Sequence, residues 1–123
     1  MQKIGIDIIE IDRIKSSCEN FGDKFLKRVF TKDEIGYCYS KKDPYPHLAA
    51  RFSAKEAFMK AMGRGMTFNE IEVYFVEDTP SIRLHGESLS LFKKNNVMDI
   101  SLSISHSRDN AVAVVIIMSE GKK

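Results

Sequence analysis

Alternating apolar residues near the start of the chain predict a β-strand. In segment 4–8, isoleucines alternate with Gly5 and Asp7, which is the period-two pattern of a strand rich in β-branched residues. From about Glu10 the apolar spacing becomes helical, and it continues through to Phe30. The first quarter of the chain is therefore predicted to be a strand followed by helix.

Two further helices are predicted from their end signals. Thr31 with Glu34 three residues later is a capping-box pattern, which starts a helix over about 32–40. A long helix then extends over 46–62, and the glycine-rich segment 63–66 indicates a turn that ends this helix and nothing more.

The second half of the chain changes from a helical to a strand period. The predicted elements there are strands at 71–76 and 81–85 with a turn at 77–80 between them, a short helix at 87–95, a strand around 100–104, and a strand at 111–118 that is apolar on both faces. Helices gathered in the first half and packed on a small antiparallel sheet define an α+β fold. We expect a single domain spanning 1–123.

Composition is ordinary, but charge is unevenly distributed. The chain has 123 residues, 43% of them hydrophobic and 29% charged, with a net charge of +2. That near-neutral balance gives no indication of a nucleic-acid partner. Segment 13–32, however, holds six basic and two acidic residues. It is either a basic binding surface or a solvated helix face.

Cysteine content and hydropathy predict a cytoplasmic protein with no membrane partner. Two cysteines, Cys18 and Cys38, cannot form the dense disulfide framework of a small secreted domain. Met1 is followed directly by the predicted strand rather than by an apolar leader. The apolar run 111–118 is far shorter than the roughly 20 residues that span a bilayer.

Asp7 is an unusual residue for its position. A carboxylate inside an isoleucine-rich strand is stable when buried only if it is paired, hydrogen-bonded or bound to a metal. Alternatively, Asp7 lies on the solvent-exposed face of a half-buried strand. The neighbouring Gly5 removes side-chain bulk beside it.

The long helix carries one narrow polar stripe on an otherwise apolar surface. Ser53, Glu56 and Lys60 share that stripe, with Glu56 and Lys60 one turn apart. The pair is either a surface ion pair worth about 0.2–0.5 kcal/mol or part of a cleft. Together with a carboxylate from a strand, it would suit a hard divalent cation and the phosphate that the cation bridges.

The turn at 105–108 collects hydroxyl, imidazole and guanidinium groups. Ser105, His106 and Arg108 could hold a phosphate there, although a single histidine in a turn is commonly structural or solvated. Neither a nucleophilic triad nor a zinc-ligand spacing accompanies them. A glycine-rich phosphate loop is absent from the sequence as well.

Four blocks in order resemble the small bacterial holo-acyl-carrier-protein synthases of the 4′-phosphopantetheinyl transferase family. The blocks are 4–7 with 12–14, 28–31 with Glu34, 50–63, and 103–109. The resemblance implies that the 4′-phosphopantetheine arm of coenzyme A moves to a serine of apo acyl carrier protein, leaving adenosine 3′,5′-bisphosphate. It also implies Mg²⁺, a role in fatty acid biosynthesis and a homotrimer.

The resemblance also implies roles for individual residues. Asp7 and Glu56 would hold the metal, and Lys60 would approach the phosphates. Arg51, Ser105 and His106 would reach the coenzyme A of a neighbouring subunit near its 3′-phosphate. The carrier protein would dock on a surface made of Arg13, Lys24, Phe25 and Arg28. The apolar run 111–118 agrees with a trimer, because a chain this short has helix enough to cover only one face of that strand.

Two features leave room for other functions. The loops at 63–71 and 77–81 are shorter than is usual in the family, which puts their substrate contacts in doubt. A metal-dependent nuclease could use Asp7, Glu56 and a lysine, although such sites usually place Glu and Lys two apart on a strand. A non-catalytic basic binding module would instead use segment 13–32.

Overall fold

The computed structural model describes residues 1–120 and contains two antiparallel sheets and five α-helices. In chain order the elements are β1 (Gln2–Glu10), α1 (Ile11–Phe21), α2 (Asp23–Val29), α3 (Lys32–Tyr39), α4 (Pro44–Met62), a 3₁₀ helix (Phe68–Glu70), β2 (Ile71–Val76), β3 (Thr79–Leu84), α5 (Gly86–Lys94), β4 (Val97–His106) and β5 (Asn110–Ser119). The α+β class expected from the sequence is confirmed.

The main sheet has three strands in the order β1-β5-β4, and β2 pairs with β3 in a separate hairpin. All pairs are antiparallel. Ala113, on the central strand, lies opposite Asp7 on one side and Ile104 on the other. Asp7 is thereby placed on the face of the sheet that α4 covers.

Helix α4 forms the centre of the core. It buries residues on nearly every side, including Leu48, Ala54 and Phe58 at 0% exposure. The helix begins at Pro44, two residues earlier than expected, because the Asp43 side chain accepts a hydrogen bond from the Tyr45 amide at 3.1 Å and caps it.

Gly5 permits the close contact between β1 and α4. A Cβ atom at this position would collide with the carbonyl oxygen of Ala57 and would lie 2.7 Å from the amide nitrogen of Ala61. Only a residue without a side chain allows the backbone of β1 to approach the helix so closely. The same approach brings Asp7, two residues further along β1, next to α4.

The helical stretch expected from Glu10 to Phe30 is interrupted. Gly22 adopts a positive φ of 55° between α1 and α2, a conformation that costs glycine little and other residues more. The chain therefore changes direction at Gly22, and the buried residues of α1 and α2 pack into the same core from two differently oriented helices. The capping box of α3 is present as predicted, with Thr31 and Glu34 bonded reciprocally.

Strand β5 is not buried on both faces within a single chain. Its residues Ala111, Ala113, Val115 and Ile117 are buried under α4, whereas Ile116 and Met118 are exposed by 38% and 37%. The helices cover only one side of the sheet, as expected for a chain this short, and burial of the other side against neighbouring chains stays a prediction. On the open side β1 adds three isoleucines that are 61–67% exposed: Ile4, Ile6 and Ile8.

Candidate active site

Asp7 is held against α4 by two polar side chains of that helix. The Ser53 hydroxyl, fully buried, lies 2.8 Å from the carbonyl oxygen of Asp7 and 3.3 Å from its Oδ2. Lys60 Nζ donates to the carbonyl of Ile6 at 3.0 Å and to Asp7 Oδ1 at 3.2 Å. The Asp7 side chain is 15% exposed and that of Lys60 is 54% exposed. The carboxylate therefore sits in a partly open, polar junction between strand and helix.

Glu56 lies close enough to this junction to interact electrostatically with it. Partial burial raises the pKa of Glu56, the negative charge of Asp7 raises it further, and Lys60 lowers it. Two carboxylates that disfavour each other's charge form a place where a cation is stabilised. The polar stripe Ser53, Glu56 and Lys60 thus interacts with Asp7 at the edge of a partly open junction, which agrees with the cleft alternative.

The residues present fit a magnesium ion. Two carboxylates suit this hard cation, which commonly retains several waters and takes further oxygen ligands from a phosphate substrate. Within residues 1–120 no group of three or more His, Cys, Asp or Glu side chains is placed to hold a metal. Asp7 and Glu56 would therefore supply only part of a coordination shell.

A cavity of about 510 Å³ opens beside this junction. Glu56 and Lys60 of α4 line one part of it, and the turn after α4, which includes Arg64, forms the rest together with Met66 and Phe68. Phe68 stacks on Phe52 of α4 with ring centroids 5.2 Å apart, which ties the 3₁₀ helix to the site. The short loop at 63–71 is therefore part of the site wall.

Arg51 belongs to a second cluster on another side of α4. It is buried, and its guanidinium lies over the rings of Tyr37 and Phe75 at 4.6 and 5.2 Å. Its Nη1 donates to the carbonyl of His47 at 3.3 Å, and its Nε has no hydrogen-bond partner within residues 1–120. An arginine held in this way presents a fixed guanidinium with spare hydrogen-bonding capacity.

His106 lies beside the Arg51 cluster, but Ser105 does not. The His47 and His106 rings are 6.4 Å apart between centroids. Burial lowers the pKa of His47, and the charge of Arg51 lowers it further. Ser105 pairs with Val112 and His106 with Ala111, so adjacent side chains point to opposite faces of the sheet.

Within one chain the two clusters are separate. Among residues 1–120, no hydrogen bond or ion pair links Asp7 or Lys60 with Arg51 or His106. In one chain, the residues expected to hold the metal therefore lie together. The residues expected to contact the nucleotide, Arg51 and His106, lie in a different place.

The four residues expected to bind a partner do not all form a free surface. Arg13, Lys24 and Arg28 are exposed on α1 and α2. Phe25 is only partly exposed and packs edge-on against the buried Phe30 at 6.1 Å. The basic groups are available to a partner, whereas much of Phe25 serves the core.

Sequence reasoning missed the aromatic clamp around Arg51 and the ion pair of Lys55 with Glu34. Lys55 is completely buried, and its Nζ lies 2.6 Å from Glu34 Oε1. A lysine on the apolar part of α4 was the available signal for this pair. The clamp had no such signal, because Tyr37 and Phe75 come from α3 and β2.

Comparison with known proteins identifies the family. The sequence profile of the 4′-phosphopantetheinyl transferase superfamily matches residues 3–115. The chain belongs to this superfamily. A relative from Carboxydothermus hydrogenoformans, named holo-[acyl-carrier-protein] synthase, is 43% identical over 119 residues, which cover 94% of this chain and 97% of the relative.

Solved structures from this superfamily share the fold over nearly the whole chain. The holo-[acyl-carrier-protein] synthase of Neisseria meningitidis superposes with a TM-score of 0.89 at 30% identity, covering 95% of this chain and 98% of that one. The Helicobacter pylori enzyme of the same name, in complex with coenzyme A, gives 0.83 at 34% identity, covering 94% and 99%. The family resemblance and the fold expected from it are confirmed.

Hydropathy adds one observation. Throughout the part of the chain that the structure describes, every helix is too short or too polar to cross a bilayer.

Proposed function

We propose that this protein transfers the 4′-phosphopantetheine group of coenzyme A to a serine hydroxyl of apo acyl carrier protein, releasing adenosine 3′,5′-bisphosphate. The observation that carries the proposal is the junction of Asp7, Glu56 and Lys60 beside an open cavity. Relatives named holo-[acyl-carrier-protein] synthase, one of them solved with coenzyme A, support the choice of substrates.

Asp7 and Glu56 are the residues that would hold Mg²⁺. When bound, the ion supplies positive charge to the pyrophosphate oxygens as the phosphorus is attacked. Lys60 contributes a second positive charge to the same oxygens, since it lines the cavity and more than half of its side chain is exposed. Ser53 keeps the Asp7 backbone and carboxylate in place through its buried hydroxyl. No nucleophile is required of the protein, because the attacking serine comes from the carrier.

The experiment that tests this function is mass spectrometry of apo carrier protein incubated with the protein, Mg²⁺ and coenzyme A. We expect the mass of one phosphopantetheine to be added. Asp7→Ala and Glu56→Ala should each lower kcat by roughly 10²-fold or more while remaining folded. The control Glu87→Ala removes an exposed carboxylate on α5 and should leave the rate unchanged. A folded Glu56→Ala protein with a normal rate would contradict the metal site.

The same mixture separates the alternatives. A metal-dependent nuclease would cleave DNA and leave the carrier unmodified. A basic binding module would bind nucleic acid in a salt-dependent way and show no affinity for coenzyme A.

We propose a homotrimer in which a neighbouring chain completes each site. On the open face of the main sheet, the exposed Ile4, Ile6 and Ile8 of β1 pair with apolar residues of β5. This part of the face is an apolar surface of the kind that subunits bury. The Arg51 and His106 cluster lies apart from Asp7 and Glu56 in one chain, and a neighbour would bring the two halves together. Ser105, on the open face, would then lie toward a neighbour.

Mixing two inactive variants tests the shared site. His106→Ala is preferred to a change at Arg51, since His106 is exposed and Arg51 is buried. After co-refolding, His106→Ala and Glu56→Ala chains should recover activity, because some boundaries then combine two intact halves. A mixture no more active than its parents, or a monomer by light scattering, would show that each chain builds its own site.

Charge complementarity governs the proposed docking of the carrier. The family resemblance implies an acidic carrier protein, and the basic residues Arg13, Lys24 and Arg28 are exposed on the adjacent helices α1 and α2.

The cytoplasm is the proposed compartment, which agrees with Cys18 and Cys38 being free thiols.

A further inference from the structure

The cavity beside Glu56 contains a third charged side chain that the proposed mechanism does not use. Glu56, Lys60 and Arg64 follow one another at intervals of four residues, and all three line the cavity. Arg64 lies in the turn after α4, where the sequence pattern indicates only the end of a helix. Its position at the cavity gives this arginine a candidate role in binding.

Lys60 and Arg64 differ in the contacts that their charged groups make within the protein. Lys60 is bonded to the carbonyl of Ile6 and to Asp7. The Arg64 side chain is exposed and makes no hydrogen bond or ion pair with any of residues 1–120. A guanidinium that faces a cavity without a protein partner is free to bind an anion.

The backbone that carries Arg64 is anchored. Gly63 takes the left-handed conformation with φ 77°, and the amides of Gly63 and Arg64 both donate to the carbonyl of Met59, at 2.9 and 3.1 Å. The Met66 amide lies 3.2 Å from Met59 Sδ. A fixed turn lowers the entropy lost when its side chain binds a ligand.

We propose that Arg64 binds the pyrophosphate of coenzyme A, a specificity-determining contact that rests on the function proposed above. Asp7, Glu56 and Lys60 together carry one net negative charge, which Mg²⁺ would convert to one net positive charge. The pyrophosphate carries one negative charge on each phosphate. Arg64 supplies the remaining positive charge, and its planar fork matches two phosphate oxygens better than an ammonium does.

Calorimetric binding of coenzyme A tests the proposal without relying on turnover. Arg64→Gln should raise the Kd roughly tenfold, the scale of one hydrogen bond to a charged group, and Arg64→Lys should fall between wild type and Arg64→Gln. Lys93→Gln, which removes an exposed positive charge from α5, should leave the Kd unchanged. Because Arg64 is exposed and its φ is not positive, both substitutions should leave the fold intact.

The choice of ligand separates the pyrophosphate from other contacts. Dephospho-coenzyme A lacks the 3′-phosphate but keeps the pyrophosphate, so Arg64→Gln should weaken it by the same factor. If Arg64→Gln weakened binding of coenzyme A but not of dephospho-coenzyme A, Arg64 would contact the 3′-phosphate, and the proposal would be overturned. A raised KM for the carrier with unchanged coenzyme A binding would also overturn it.

Measurements on the wild-type protein separate the role of Arg64 from the proposed transferase function on which it rests. If wild type binds coenzyme A and modifies the carrier but Arg64→Gln binds equally well, only the role of Arg64 is refuted. If wild type neither binds coenzyme A nor modifies the carrier, the proposed function fails as well.

Discussion

Replacing Lys55 by methionine should destabilise the protein severely. The Lys55 side chain is 0% exposed, and its Nζ donates to Glu34 Oε1 and to the carbonyl of Val29, both at 2.6 Å, and to that of Phe68 at 3.2 Å. Burial lowers the pKa of Lys55, and the negative charge of Glu34 opposes that effect. These contacts join α4 to the end of α2, the start of α3 and the 3₁₀ helix.

The magnitude follows from what the substitution leaves behind. Methionine fills a similar volume, but Glu34 would retain a buried charge whose remaining donors among residues 1–120 are the amides of Thr31 and Val73. Breaking a buried pair by removing one partner costs about 3–5 kcal/mol. For a domain of this size, that loss corresponds to a Tm lower by roughly 10–20 °C.

Chemical denaturation of wild type and variants measures this loss. Lys55→Met combined with Glu34→Gln should recover part of the stability, because no unpaired charge then stays buried. Lys60→Met is the matched control: the Lys60 side chain in its ion pair with Asp7 is 54% exposed, so the change should be within about 1 kcal/mol. A Lys55→Met protein that also stays within 1 kcal/mol of wild type would refute the reasoning.

Three further changes test other parts of the structure. Gly5→Ala should cost about 1–3 kcal/mol in denaturation, and it should slow transfer, since the new Cβ crowds Ala61 and pushes β1 off α4. Burial raises the pKa of Glu72, but hydrogen bonds, the largest from His85, bring it below its ordinary value of 4.5. Wild type should therefore have a larger free energy of unfolding than Glu72→Gln above pH 4.5, and the difference should shrink as the pH falls through the lowered pKa. Arg13→Ala should raise KM for the carrier more than for coenzyme A, and the difference should shrink as salt rises.

Local signals in the sequence predicted most of the elements correctly. The capping box at Thr31 and Glu34 and the terminating Gly63 act through neighbouring backbone groups, so four or five residues contain all the information. The break at Gly22 was missed because the apolar spacing continues across it. Periodicity records which residues are buried, and it does not record a change of direction between two helices that share one core.

The site required information that local patterns do not contain. Periodicity placed Asp7 on a strand and Glu56 on a helix, and their chemistry suggested a shared cation, but only the family resemblance assigned the two carboxylates to one metal site. The aromatic clamp around Arg51 could not be predicted from local patterns, because its two rings come from α3 and β2. Contacts between elements distant in sequence depend on how the whole chain packs.

The Glu34 carboxylate, in the first turn of α3, has a consequence for how cooperatively the structure opens. Glu34 Oε1 accepts from the Thr31 amide and from Lys55, while Oε2 accepts from the amide of Val73 on β2. The start of a helix, the burial of a lysine and the attachment of a hairpin therefore share one side chain. We therefore expect the amide protons of Thr31 and Val73, 42 positions apart in the numbering, to exchange with solvent through the same opening event, which native-state hydrogen exchange would measure.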